Sequence, residues 1–385
     1  MKRMIAALVL LCLLLNTGMA ETKVYTADGD DQSAVDLGGT GTLMITDALI
    51  RKTGGSASST DAASFRGVNA AVRVYDQASL TLSNTVIEAT APNATGVFAY
   101  DGGSISISDS TITVSGGGAG GVQVAGGGTL TGTNLTVTSA SKAAIRSDRG
   151  GGTMVLDGGT YTSTGTNGCP AIYSTADITV RNAVCVSEQS RAVIIEGMNS
   201  VTLEHVTIEG NDQSTKSGSI HANVLLYQSA SGDAREGTSV FTMAGGEMTA
   251  ESGAMFYCTN TSSIIHLNAA ELNLSEDGTL LIVSAGRWGK DGRNGGQCTL
   301  NAQSQTLNGS ISVDSISSLT MNMTGSDFTG CINTEQEGGF VSVVMDANST
   351  WTLTDDGYVT AFDGDMDNVD LNGFTLYIAG LAVNG

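Results

Sequence analysis

Apolar and small polar residues alternate along this chain in short runs that return at a nearly constant interval. "LTLSNTVI" at 80–87 recurs as "ISISDSTI" at 105–112, "LTGTNLTV" at 130–137, "MVLDGGTY" at 154–161, "ITVRNAVC" at 178–185 and "VTLEHVTI" at 201–208. It returns as "FTMAGGEM" at 241–248 and "IHLNAAEL" at 265–272, and begins earlier as "LMITDALI" at 43–50. Successive starts from 80 to 201 lie 25, 25, 24, 24 and 23 residues apart. Counting the first residue of each run as position zero, that position is always apolar, from Leu43 to Ile265, and position two is apolar except at Gly132. Two inward residues with one outward between them is the period of a strand. Position seven, from Ile50 to Leu272, is inward again.

Position four is Asp47, Asn84, Asp109, Asn134, Gly158, Asn182, His205, Gly245 and Ala269. Asn, Asp and Gly adopt a left-handed backbone at low cost, so each repeat reads as a strand, a one-residue bend and a second strand. A third strand follows about ten residues on, as in "GVFAY" at 96–100, "GVQVA" at 121–125, "AAIRS" at 143–147, "PAIYS" at 170–174 and "AVIIE" at 192–196. One such repeat cannot bury its own apolar face; stacked copies can. The expected fold is all-β: a right-handed parallel β-helix of about 12–13 coils of ~24 residues, rising ~4.8 Å per coil. Between 298 and 345 the register of inward positions is not legible.

These features resemble the right-handed parallel β-helix proteins of the pectin-lyase-like superfamily, whose turn ladder the position-four column is similar to. The resemblance covers roughly 40–380. It implies a fold rather than an activity, since that superfamily holds lyases, hydrolases and non-enzymatic adhesins. The tail, "STWTLTDDGYV" at 349–359 and "VDLNGFTLYIAG" at 369–380, is similar to the last coils of autotransporter-type adhesin passengers. There Trp351, Leu353, Asp355 and Tyr358, then Val369, Leu371, Gly373 and Leu376, fit positions zero, two, four and seven.

Residues 1–20 stand outside the repeat. Lys2 and Arg3 precede an apolar run from Met4 to Leu15, and Gly18-Met19-Ala20 offers small residues for cleavage. This is the pattern of a bacterial Sec-type signal peptide, leaving 21–385 as one β-helix domain that is secreted or held at the cell surface. Leu11 before Cys12 is not the small residue a lipoprotein signal has. Without 1–20 the chain keeps 15 Lys and Arg against 38 Asp and Glu, a net charge of −23. That opposes nucleic acid as a partner, because like charges repel. No later segment is long and apolar enough to span a membrane. The five remaining cysteines are irregularly spaced with no CxxC, neither a metal knuckle nor a dense disulfide scaffold. A monomer is expected.

Catalytic signatures are sparse. The Gly-His-Gly and clustered aspartates that such a resemblance implies for a hydrolase are absent, as is a calcium-binding carboxylate cluster with an Arg or Lys base for a lyase. His205 occupies the bend column, His266 points outward, and His221 lies in an insertion; none has a partner defined by sequence. Asp30-Asp31 precedes the first coil and reads as a solvated entry. Thr111/Thr113, Thr136/Thr138 and Thr160/Thr162 form an outward threonine array of the kind ice-binding faces use, but it breaks at Val184 and Val186, and exposed strands favour Thr anyway. "DGDMDN" at 363–368 spaces Asp363, Asp365 and Asp367 like a calcium loop. Asn368 replaces the turn glycine and Phe374 the bidentate Glu, so no cofactor is expected and a solvated turn competes with a calcium site.

Loop insertions near 210–223, 229–239 and 284–297 interrupt the beat. The last contains "GRWGKDGRNGG" at 286–296. Both 229–239 and 284–297 follow a third strand and precede a first strand, Ile265 being spaced 33 residues from Cys298. They are therefore expected at one corner, two coils apart, with Asp233, Arg235 and Glu236 beside Arg287, Trp288, Lys290, Asp291 and Arg293. Loops on a rigid scaffold carry function out of proportion to their length, and Trp with Arg suits sugar stacking and anion recognition. Long turns also carry Gly and charge for solubility alone. The function expected is a non-catalytic, adhesin-like or glycan-binding surface protein recognising a glycan or host-cell ligand. The alternatives are a polysaccharide lyase or glycoside hydrolase of this fold, and a passive structural rod.

Overall fold

The computed structural model describes residues 22–334 and 338–383; the signal-peptide reading of 1–20 lies outside them. Nearly every coil contributes to two long ladders. One is a 19-stranded sheet holding the first strands and, as far as Glu271–Asn273, the second strands, and the other an 11-stranded sheet of third strands; the second strands of the last coils form a separate 4-stranded sheet and the C-terminal strands a 3-stranded one. All pairings in both long sheets are parallel, and among the described residues an antiparallel pair occurs only between Leu376–Ile378 and Leu381–Val383 near the C-terminal end. The molecule is a parallel β-helix.

The position-zero column is continuous. Leu43 pairs with Leu80, Leu80 with Ile105, Ile105 with Leu130, and so through Met154, Ile178, Val201 and Phe241 to Ile265. All of these beyond Leu43 are buried in one core that runs on to Leu376. The bend column is equally regular: every residue from Asp47 to Ala269 at position four has φ between 47° and 72°. Neighbouring coils are laced by side chains beside these bends, Asn84 donating to Asp47, Asn134 to Asp109 (2.9 Å) and Asn182 to Asp157 (2.8 Å). The three Thr pairs are in register, Thr111 on Thr136 on Thr160.

The described residues between 298 and 345 follow the same rule. Leu300 and Met321 continue position zero, with Ser304 (φ 48°) and Gly325 (φ 54°) as bends and Leu307 and Phe328 at position seven. The partner of Ile265 is thus Leu300; Cys298 pairs with Ser263 instead. The tail register differs from expectation. Phe340–Met345 and Ala361–Asp363 are the first strands there, and Trp351 stacks between Phe328 and Val369 at position seven. Asp355 has no left-handed backbone, and Tyr358 lies on a third strand paired with Tyr377. The physical reason is that period two says which residues point inward but not which sheet a strand joins.

Two features were not foreseen. Residues 53–71 leave the first full coil and include the helix Thr60–Arg66, capped by Ser59, whose Oγ accepts from the Ala62 N–H, and by Gly67 in the left-handed region. This excursion lies on the outer face of the third-strand sheet, where Gln123 Nε2 donates to the Ser64 carbonyl at 2.8 Å. The outer face is also covered further along. The strands Val193–Glu196, Ala222–Tyr227 and Ala254–Thr259 are buried at every residue, inward and outward alike, as strands become when both faces are packed. No helix among the described residues is long and apolar enough to cross a membrane.

Candidate functional site

The outward residues of the third strands form one column: Phe98, Gln123, Arg146, Tyr173, Ile194, Leu225 and Tyr257 are neighbours in successive coils. The segment 53–71 covers its N-terminal part. The loop 210–221 and the tip of 284–297 cover its later part. Between these covers lies a pocket of about 400 Å³. Its floor is Arg146, Tyr173, Ile194, Leu225 and Tyr257, and its walls include Lys142, Arg191, Lys216, Tyr227, Arg287 and Trp288.

Charge is the pocket's distinguishing property. The chain carries 17 Lys and Arg against 38 Asp and Glu, yet five of those cations, Lys142, Arg146, Arg191, Lys216 and Arg287, line this one cavity with a single acid, Asp212. Two of the five are neutralised. Arg146 forms a two-pronged pair with Asp148 at 2.7 and 3.0 Å. Arg191 meets Asp212 at 2.9 Å. Lys142, Lys216 and Arg287 form no ion pair among the described residues. Uncompensated positive charge beside partly buried walls is the electrostatic setting for an anion.

Lys142 is held in an unusual setting. Its ammonium donates to Ser64 Oγ at 2.7 Å. Burial, and then the neighbouring Arg146 guanidinium, lower its pKa to about 8, because both disfavour the charged form. Aromatic rings complete the walls. Arg146 lies over the Tyr173 ring at 4.5 Å and Arg287 over Trp288 at 4.5 Å, and Trp288 packs against Tyr227 with centroids 5.4 Å apart. Behind them the buried Glu196 accepts from Tyr173 (2.5 Å), Tyr227 (3.0 Å) and Ser229. That network fixes both phenols, and burial followed by neighbouring acidic groups pushes both their pKa values up.

The loop 284–297 is itself rigidly seated. Asn294 Nδ2 donates to the Gly286 and Trp288 carbonyls at 2.7 and 2.9 Å, tying the chain on either side of Arg287. Both it and 229–239 do leave the same corner, after Thr279–Val283 and Ala222–Tyr227 respectively. Their side chains then diverge. Arg287 and Trp288 reach over the third-strand face toward 210–221, Gly218 lying close to Arg287. Lys290, Asp291 and Arg293 stay exposed outside the pocket. Asp233 pairs with Arg149 at 2.6 Å, and Arg235 and Glu236 are exposed. No hydrogen bond or ion pair among the described residues joins these three to 287–293. Asp365 caps the short helix Met366–Asn368 by accepting from the Asp367 N–H at 3.0 Å. No group of three or more His, Cys, Asp or Glu among the described residues, Asp363 and Asp367 included, converges as a metal site requires.

Lys142, Arg146, Tyr173, Arg191, Lys216 and Tyr227 were not singled out from sequence. One signal was present: "AVII" at 192–195, "VLLY" at 224–227 and "AMFYC" at 254–258 are unbroken apolar runs where a solvated outer face would alternate. Searches against family models, curated proteins and solved structures found no match to this chain.

Proposed function

We propose that the protein is a secreted or cell-surface β-helix that binds an acidic glycan without transforming it, in the manner of an adhesin. The observation that carries this reading is the pocket under Arg287 and Trp288, which gathers five basic residues and four aromatic rings in a strongly acidic chain. Three unpaired cations suit carboxylate or sulfate groups, and the tyrosines and tryptophan suit the apolar faces of sugar rings. The adhesin-like character and the kinship with pectin-lyase-like β-helices belong to this proposal. A screen of acidic and neutral oligosaccharides, with intrinsic tryptophan fluorescence as a second readout, tests it. Acidic oligosaccharides are expected to bind while uncharged analogues do not. Trp288→Ala should weaken binding by about 10- to 100-fold, the range for a central aromatic anchor. Equal binding of charged and neutral sugars, or full affinity in a folded Trp288→Ala/Lys142→Ala double variant, overturns the reading.

One observation favours polysaccharide lysis as a second reading. An amine with a pKa near 8, beside a guanidinium and inside a pocket, is suited to removing a proton next to a sugar carboxylate. Formation of an unsaturated, ultraviolet-absorbing product by the intact protein, lost in Lys142→Met, would select that reading over simple binding.

A further inference from the structure

Cys258 and Cys298 differ from the other described cysteines in having each other. Their sulfurs lie 3.6 Å apart, the only cysteine pair in such contact among the described residues. Both side chains are shut into the core, at 0% and 3% exposure. Cys258 stands on the third strand Ala254–Thr259, laddered between Leu226 and Val283. Cys298 stands on the first strand Gln297–Gln303, laddered between Ser263 and Leu319. They face one another across the inside of the corner from which 284–297 departs. Both feet of that loop rest on Cys258. The Ser284 N–H donates to its carbonyl at 3.2 Å, and a Cβ on Gly296 would come within 2.6 Å of the same oxygen.

We propose that Cys258 and Cys298 are joined by a disulfide when the chain folds under oxidising conditions, closing a covalent ring around the loop that carries Arg287 and Trp288. Bringing the sulfurs to the ~2.05 Å of a bond requires a movement of about 1.5 Å, the scale of a side-chain rotation rather than of a backbone shift. The reaction is thiol–disulfide exchange. One thiolate attacks an oxidant disulfide, such as that of a thiol–disulfide oxidoreductase or oxidised glutathione, and expels one oxidant thiol. The second cysteine then attacks the mixed disulfide and expels the other thiol. The sulfur–sulfur bond gained equals the one lost, and the two protons end on the reduced oxidant. Exchange precedes closure of the coil, because the folded core shields both sulfurs from any oxidant.

The test begins with reduced, denatured protein refolded with oxidised and reduced glutathione, then denatured again without reductant for intact mass and thiol counting. The expected product is about 2 Da lighter than the reduced chain. It has two titratable thiols fewer than its cysteines, and proteolysis yields a linked pair of peptides containing Cys258 and Cys298. The mass difference should vanish in Cys298→Ser. Native reduced protein given the same buffer without unfolding should keep all its thiols. A full complement of thiols after oxidative refolding, or a bridge that excludes either residue, overturns the proposal. Mass is read on the denatured chain, so the outcome stands whether or not a variant refolds, and it is independent of any glycan.

Discussion

The bend column and Lys142 are the two places where single residues decide most. A left-handed backbone costs an ordinary residue roughly 1–2 kcal/mol, and Asn and Asp reduce that cost while linking coil to coil. Ala269 takes the same bend at φ 49° with no side chain to compensate. Ala269→Asn is therefore expected to stabilise the protein by about 1 kcal/mol, read as a higher midpoint in denaturant. Lys142 makes a prediction about pH. Its folded pKa of about 8 lies below its ordinary 10.5, so it is charged below pH 8 and neutral above. Affinity for an acidic glycan should fall as pH rises through 8, and Lys142→Met should remove that step from the binding profile. Stability runs the opposite way. Between pH 8 and 10.5 the unfolded chain holds the extra proton, so this residue makes the fold more stable as pH rises through that window.

At the scale of elements, the site exists because three excursions return to cover the outer face of the third strands. The segment 53–71 closes one end, 284–297 the other, and 210–221 the side. The last is latched by Asp212, which is 2% exposed. Its carboxylate accepts from Arg191 Nε at 2.9 Å, from the Ser214 N–H at 3.0 Å and from the Ala222 N–H at 3.3 Å. Removing one partner of such a buried pair strands the other charge, at a cost of about 3–5 kcal/mol. Asp212→Ala should accordingly release the loop, seen as faster amide exchange over 213–221, while central strands such as Ser200–Gly210 keep their protection. The repeat register places 229–239 and 284–297 at their shared corner. It carries no information on where their tips fold, which is why Arg287 and Trp288 meet 210–221 while Asp233 turns to Arg149.

At the scale of the whole molecule, each coil is held chiefly by the coils above and below, so stability propagates along the rod. A central core deletion such as Leu203→Ala, at a fully buried position, should cost about 3 kcal/mol and shift the whole denaturation curve. Leu376→Ala, at the last coil, should mainly fray the C-terminal end, and hydrogen exchange resolved by coil distinguishes the two. The sequence by itself determined the rod. Alternation of period two, a left-handed residue at position four and a 24-residue beat leave one way to bury the apolar columns, and even Ala269 and His205 conform. It also located the corner from which 284–297 leaves. Only the tertiary structure decided the tail register, because Trp351 satisfies an inward position in either sheet until its neighbours are known. It alone decided the pocket as well. Lys142, Arg146, Arg191, Lys216 and Arg287 are spread over nearly 150 residues of sequence, and what brings them together is the ~4.8 Å rise of successive coils and the folding of two loops across one face, neither of which a linear pattern contains.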